Sequence, residues 1–199
     1  MCSSDLSIKG LAGLLSRDLS GKSAERMGVL KEEADRMQGI LEEFLTFSRP
    51  LVPSVAEPVD LRFLVDGVAA LHEGMARHRG LKFVTAGNAD AEADPRKTRQ
   101  ILINLVQNAI EASPAGGTIW IVVEAGQGSA EVRVEDEGSG PDKDLGERVF
   151  QAGVTTKASG NGLGLTIARG LARQQGGDLF LERRPVGGAV ARLNLPEGG

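Results

Sequence analysis

The 199-residue chain has a single cysteine, Cys2, which excludes an internal disulfide framework and fits a reducing compartment. With no base partner suggested by the sequence, Cys2 reads as a passive terminal thiol. No apolar run approaches membrane-spanning length, and the N-terminus has no signal-peptide core. The chain therefore reads as soluble and cytoplasmic, with any membrane attachment confined to segments outside it. Positive charge is not in excess: 23 Lys and Arg stand against 27 Asp and Glu, for a net charge of -4. That disfavours nucleic acid as a partner. Small polyanions such as nucleotides stay open, because backbone amides and a metal ion can hold them without net positive charge. Histidine is absent from residues 1–71, the only two being His72 and His78. No G-x-x-x-x-G-K-S/T phosphate-binding sequence occurs.

Proline is absent from residues 5–48 and then appears in Arg49-Pro50-Leu51-Val52-Pro53, with Pro58 close behind. Proline removes an amide donor and restricts its predecessor, so helices tend to end there. This divides the chain into a helical segment, 1–48, a linker, 49–58, and a second domain, 59–199. Ser20-Gly21-Lys22-Ser23 breaks the first segment into two helices. In the second of them Met27, Leu30, Ala34, Met37, Leu41, Phe44 and Ser48 follow a heptad seam. Ile8, Leu11 and Leu15 make a similar stripe in the first. One short hairpin cannot bury both stripes, whereas a homodimeric four-helix bundle can. Packing of the hairpin on its own second domain is the competing arrangement.

The second domain alternates helix and strand. Helices are expected over 61–78, 96–113 and 163–175, the middle one announced by Asp94-Pro95. Strands are expected over 81–84, 118–124, 130–136, 179–182 and 189–195, the last four as two hairpins. Residues 137–160 read as a long loop. The pattern predicts an α+β sandwich, with helices on one face of a mixed, largely antiparallel sheet.

Three polar elements stand out. Asn104 and Asn108 lie one helical turn apart beside an apolar stripe; alone they are equally a partly exposed pair of no special role. Asp136-Glu137-Gly138-Ser139-Gly140 places an acid at a strand end, with glycines that allow a sharp turn and close approach of a ligand. Alone this is an ordinary Asp/Gly turn. Gly160-Asn161-Gly162-Leu163-Gly164-Leu165 leads into a helix whose amides and dipole favour phosphate. Its spacing and the loop before it differ from a dinucleotide-binding fingerprint.

Taken in order, these elements resemble the N, G1 and G2 boxes of the GHKL superfamily of ATPases and kinases. Val149-Phe150-Gln151-Ala152-Gly153-Val154-Thr155-Thr156-Lys157 resembles the F box of sensor histidine kinases, with glycine at 153 where a second aromatic is frequent. Phe47-Ser48-Arg49-Pro50, Gly176-Gly177-Asp178, Gly187-Gly188 and Leu193-Asn194-Leu195-Pro196 extend the resemblance over nearly the whole chain. It implies a helical-hairpin dimerisation module followed by a GHKL-type domain that binds ATP and Mg²⁺. By the same resemblance, Asn108 coordinates the metal and Asn104 supports the phosphate and metal site. Asp136 binds the adenine amine, with Gly138 and Gly140 shaping the pocket. Residues 141–160 form an ATP lid carrying Thr156 and Lys157. Gly160, Gly162, Leu163 and Gly164 face the phosphates. A response-regulator receiver domain is the implied partner.

In hydrolytic relatives such as DNA gyrase and MutL, a glutamate that activates water typically occupies the position of Asn104. An amide is not basic, so the sequence favours phosphoryl transfer over hydrolysis. The expected function is the kinase core of a two-component phosphorelay, with a dimeric ATP-binding scaffold lacking autophosphorylation as the alternative. The acceptor histidine of such kinases sits near the start of the first hairpin helix, where this chain has none. One register, on Ser7-Ile8-Lys9-Gly10-Leu11-Ala12, places it just before Met1; another places Ser4-Asp5-Leu6 over it. His72 and His78 read as ordinary, exposed helix residues.

Overall fold

The computed structural model describes residue 23 and residues 27–29, 55–142, 144–155 and 162–198. The chain divides into two units, Met1–Arg49 and Pro50–Gly199. Of the expected hairpin only residues 23 and 27–29 are described, and they are helical; the seam and the bundle otherwise fall outside the described residues.

The second unit contains strands β1 (Glu57–Asp60), β2 (Lys82–Gly87), β3 (Asp90–Ala93), β4 (Thr118–Ala125), β5 (Ser129–Glu135), β6 (Asp178–Arg183) and β7 (Ala189–Pro196). Its helices are α1 (Leu61–His78), α2 (Pro95–Ala112) and α3 (Gly164–Arg173), with a 3₁₀ turn, η1, over Gly146–Phe150. The main sheet has the order β2-β4-β5-β7-β6. β2 runs parallel to β4, and the other pairs are antiparallel. This is the mixed sheet of the expected sandwich. Ile119, Ile121 and Val123 on β4, Val132 and Val134 on β5, and Leu193 and Leu195 on β7 alternate into the core shared with the helices.

Local chemistry sets the helix starts. The Asp60 carboxylate accepts the Phe63 N–H at 2.9 Å, capping α1. Asp94 accepts the N–H of Arg96 at 2.9 Å and of Lys97 at 3.3 Å, with Pro95 in the first turn of α2. α2 then buries Ile101, Leu102, Leu105, Val106, Ala109 and Ile110, which fixes the direction of Asn104 and Asn108 on its flank. At the other end, Arg79 donates to the Ile110 and Ser113 carbonyls, a cation meeting the negative end of the helix dipole.

Three expectations are corrected. β1 begins at Glu57, inside the stretch read as linker, and pairs with β3 in a separate two-stranded sheet. β1 has no second neighbour in that sheet, which makes Pro58 tolerable there. The loop over 137–160 contains η1. His72 is buried, 8% exposed, on the same face of α1 as Val68 and Ala76, and its Nδ1–H donates to the Val68 carbonyl at 2.9 Å. His78 is exposed as expected.

Candidate functional site

α2 carries Asn104 and Asn108 on a half-buried flank facing the start of α3. The Asn104 side-chain amide donates to the Gly164 carbonyl at 3.1 Å, and its oxygen accepts from Gln100 at 3.4 Å. Asn108 lies against the same residue: a Cβ added at Gly164 would sit 3.9 Å from its Nδ2. The two asparagines and the first residue of α3, some 60 positions apart in sequence, thus share one site. The first intrahelical bond of α3 runs from Ile167 N–H to the Leu163 carbonyl at 2.9 Å. The amides of Gly164, Leu165 and Thr166 therefore lie at the positive end of the helix.

The loop into α3 is built by close backbone approach. Gly162 has φ +67°, and a Cβ there would come within 2.7 Å of Gly153 and Val154 backbone atoms. Gly153 N–H donates to the Gly162 carbonyl at 3.2 Å. Gly153 itself has φ +82°, in the left-handed region open to glycine, which accounts for the missing second aromatic of the F box.

Asp136, just past the end of β5, is 5% exposed. Its Oδ1 accepts the Gly138 N–H at 2.8 Å and the Ala189 N–H at 3.2 Å. Gly138 passes so close to α2 that a Cβ would meet the Ala112 carbonyl oxygen at 2.5 Å. Gly140, at φ +69°, passes Gly188 equally closely. These glycines let the turn after β5 press against the end of α2 and the β6–β7 hairpin, holding the Asp136 carboxylate in place. Leu163 is the N-cap residue of α3. Thr156, Lys157 and Gly160 lie outside the described residues.

Several supporting residues were not singled out from the sequence. Glu137 accepts the Thr118 N–H at 2.7 Å, tying the Asp136 turn to the start of β4. Arg184 donates to the Asp136 backbone carbonyl at 2.7 Å, pairs with Glu135 at 3.1 Å and lies over the Trp120 ring. The Gln175 side-chain oxygen accepts from Asp94 N–H at 2.8 Å and Thr98 Oγ1 at 3.2 Å, locking the end of α3 to the start of α2. Arg169, on α3, contacts Asp178, Glu147 and Phe150. Hydrogen bonding to Asp178 raises the Arg169 pKa despite the opposing effect of burial. Burial pushes the Asp178 carboxyl upward, but bonds from Arg169, Arg173 and the Leu179 N–H outweigh it and hold the group well below the usual carboxylate range. The only sequence signal for this cluster was a pair of arginines four apart on one helix, shortly before an aspartate.

Residues 93–199 match the histidine kinase-, DNA gyrase B- and HSP90-like ATPase family, and the chain belongs to it. The relatives it resembles include sensor histidine kinases and sporulation kinases. It is 33% identical to sensor histidine kinase ZraS of Klebsiella oxytoca, over 97% of this chain and 43% of that one. Among solved structures, full-length ShkA in complex with AMPPNP matches 98% of this chain and 43% of that one, at 26% identity and a TM-score of 0.81. Histidine kinase ThkA, solved in complex with response regulator protein TrrA, matches 98% of this chain and 58% of that one, at 29% identity and a TM-score of 0.76. The chain spans less than half the length of the first curated relatives it matches, 32% and 43%. Among the described residues, no helix is long and apolar enough to cross a membrane.

Proposed function

We propose that the chain is the kinase core of a sensor histidine kinase, which binds Mg-ATP and passes the γ-phosphate to a histidine for relay to a response regulator. The observation that carries this reading is the convergence of Asn104 and Asn108 on Gly164 at the positive end of α3. The buried carboxylate of Asp136 belongs to the turn whose Gly138 packs against Ala112, one helical turn beyond Asn108 on α2. Asp136 would receive the exocyclic amine of adenine. Gly164 carries no side chain beside Asn108, which would leave room for phosphate oxygens, while Gly162 lets the loop pack closely on Gly153 and Val154. Asn108 would hold Mg²⁺ through its side-chain oxygen, with the remaining shell taken from phosphate and water, as this ion prefers. The metal, when bound, neutralises phosphate charge. Asn104 positions the first turn of α3 and supplies no base, so water is not activated there. Positioning and charge neutralisation are what phosphoryl transfer requires. Thr156, Lys157 and Gly160 would complete the phosphate contacts.

The proposed assembly is a homodimer through residues 5–48, and the ThkA–TrrA complex supports a response-regulator receiver domain as partner. Titration calorimetry with Mg-AMPPNP tests the site. Wild type is expected to bind in a magnesium-dependent manner, and Asn108→Ala to lose that dependence while keeping its melting temperature. Absence of binding by wild type, or equal binding with and without magnesium, would reject the proposal. A second reading is a dimeric ATP-binding scaffold without autophosphorylation, favoured by the lack of histidine in residues 1–71.

A further inference from the structure

Arg169 is one of the most heavily paired cations among the described residues, and it is not among those assigned to the nucleotide site above. Its side chain is 11% exposed. Nε donates to Asp178 Oδ1 at 2.9 Å and Nη2 to Oδ2 at 3.4 Å, a two-point grip on the first residue of β6. Asp178 is also held by Arg173 at 3.1 Å and by its own neighbour's N–H. Arg169 is thus oriented from the sheet side. Its other face meets η1: the guanidinium carbon lies 4.3 Å from the Phe150 ring centroid, and Nη1 pairs with Glu147. Thr166, one turn earlier on α3, donates to the Phe150 carbonyl at 2.8 Å. η1 therefore has two attachments to α3, one to its backbone and one to its side chains.

The turn leads directly into Gly153 and Val154, which brace Gly162 by close contact and by the Gly153–Gly162 bond. A displacement of η1 would be passed to the glycine that opens the phosphate-facing loop. We propose that Arg169 is a positioning residue for nucleotide binding: clamped by Asp178, it fixes η1 on α3 and so holds the Gly162 backbone where phosphate is received. Arg169 touches no nucleotide in this scheme. The inference rests on the nucleotide site proposed above, and its test separates the two.

The exposed Arg148 inside η1 is a built-in trypsin site that reports whether the turn is held. In the full chain, Arg169→Ala is expected to speed cleavage after Arg148 and to weaken Mg-AMPPNP binding about tenfold, the loss of one desolvated cation–ring contact and its ion pairs. Arg169→Lys keeps a cation over the ring and is expected to recover part of both effects, which a purely structural role would not predict at unchanged melting temperature. Phe150→Leu removes the ring while keeping apolar bulk, and carries the test if Arg169→Ala does not fold; it is expected to act in the same direction. Wild-type rates of Arg148 cleavage in both Arg169→Ala and Phe150→Leu would overturn the anchoring role. Faster cleavage with unchanged AMPPNP affinity would overturn the role in binding. Faster cleavage in a protein whose wild type binds no nucleotide would instead place the fault with the nucleotide reading.

Discussion

Replacing Asp136 in two ways separates its structural role from the binding role proposed for it. Oδ1 accepts the Gly138 and Ala189 amides at 2.8 and 3.2 Å. Asp136→Ala would orphan both donors in a site that is 5% exposed. Each buried, unsatisfied amide costs about 1–3 kcal/mol, so alanine is expected to lower stability by about 2 kcal/mol or more. A loss of nucleotide binding in that variant would be ambiguous. Asp136→Asn keeps an oxygen for the two amides and replaces the other with an NH₂ group. A donor there cannot accept the adenine amine, so a charge-assisted bond worth about 1.5–3 kcal/mol disappears, or about ten- to a hundredfold in affinity. Urea denaturation is expected to give nearly the wild-type midpoint for asparagine and a lower one for alanine. Calorimetry is expected to show ATP-analogue affinity reduced by asparagine, with the weaker GTP-analogue affinity little changed. An asparagine variant that binds the ATP analogue as tightly as wild type would refute the assignment of Asp136 to the base.

Gly188→Ala is expected to destabilise by at least about 2 kcal/mol, because its φ is +89° and a Cβ would stand 1.9 Å from the Asp136 carbonyl oxygen; thermal melting reads this. The Asp178 carboxyl is held below its ordinary pKa, so its pairing contributes stability that is complete above the unfolded value and is lost as pH falls through the folded one. Asp178→Asn should therefore melt lower than wild type at neutral pH, and the gap should narrow as pH drops below about 4; a gap that does not vary with pH would exclude the ion-pair explanation. For the dimer, Leu41→Glu is expected to give monomers by light scattering at micromolar concentration, since an unpaired charge in the seam costs about 3–5 kcal/mol. A wild-type chain that is itself monomeric throughout would reject the bundle.

What could be read from the sequence was what is local. α1 was expected over 61–78 and occupies that span, with Asp60 capping its start and Arg79 its end. Asp94-Pro95 marked the start of α2 by the capping chemistry observed there. β1 and β3 escaped because each has four residues, carries acids, and gains its structure from pairing across the chain, Glu57 with Ala93 through Asp60 with Asp90. His72 was misjudged although its spacing from Val68 and Ala76 placed it on the buried face; residue type was allowed to outweigh periodicity. At the site, Asn104, Asp136 and the glycines were legible as an ordered set of motifs. Glu137, Arg169 and Arg184 were not, because their roles depend on partners such as Thr118, Phe150 and Trp120 that only the fold brings near.

The central claim is phosphoryl transfer to histidine rather than to water. Incubation with γ-labelled Mg-ATP tests it, comparing the present chain with Ser4→His. The present chain has no histidine before residue 72 and is expected to bind nucleotide without labelling itself. Ser4→His is expected to acquire a label that is lost in acid and kept in base. Steady release of labelled phosphate to water by the present chain, or an acid-stable label on it, would contradict the account.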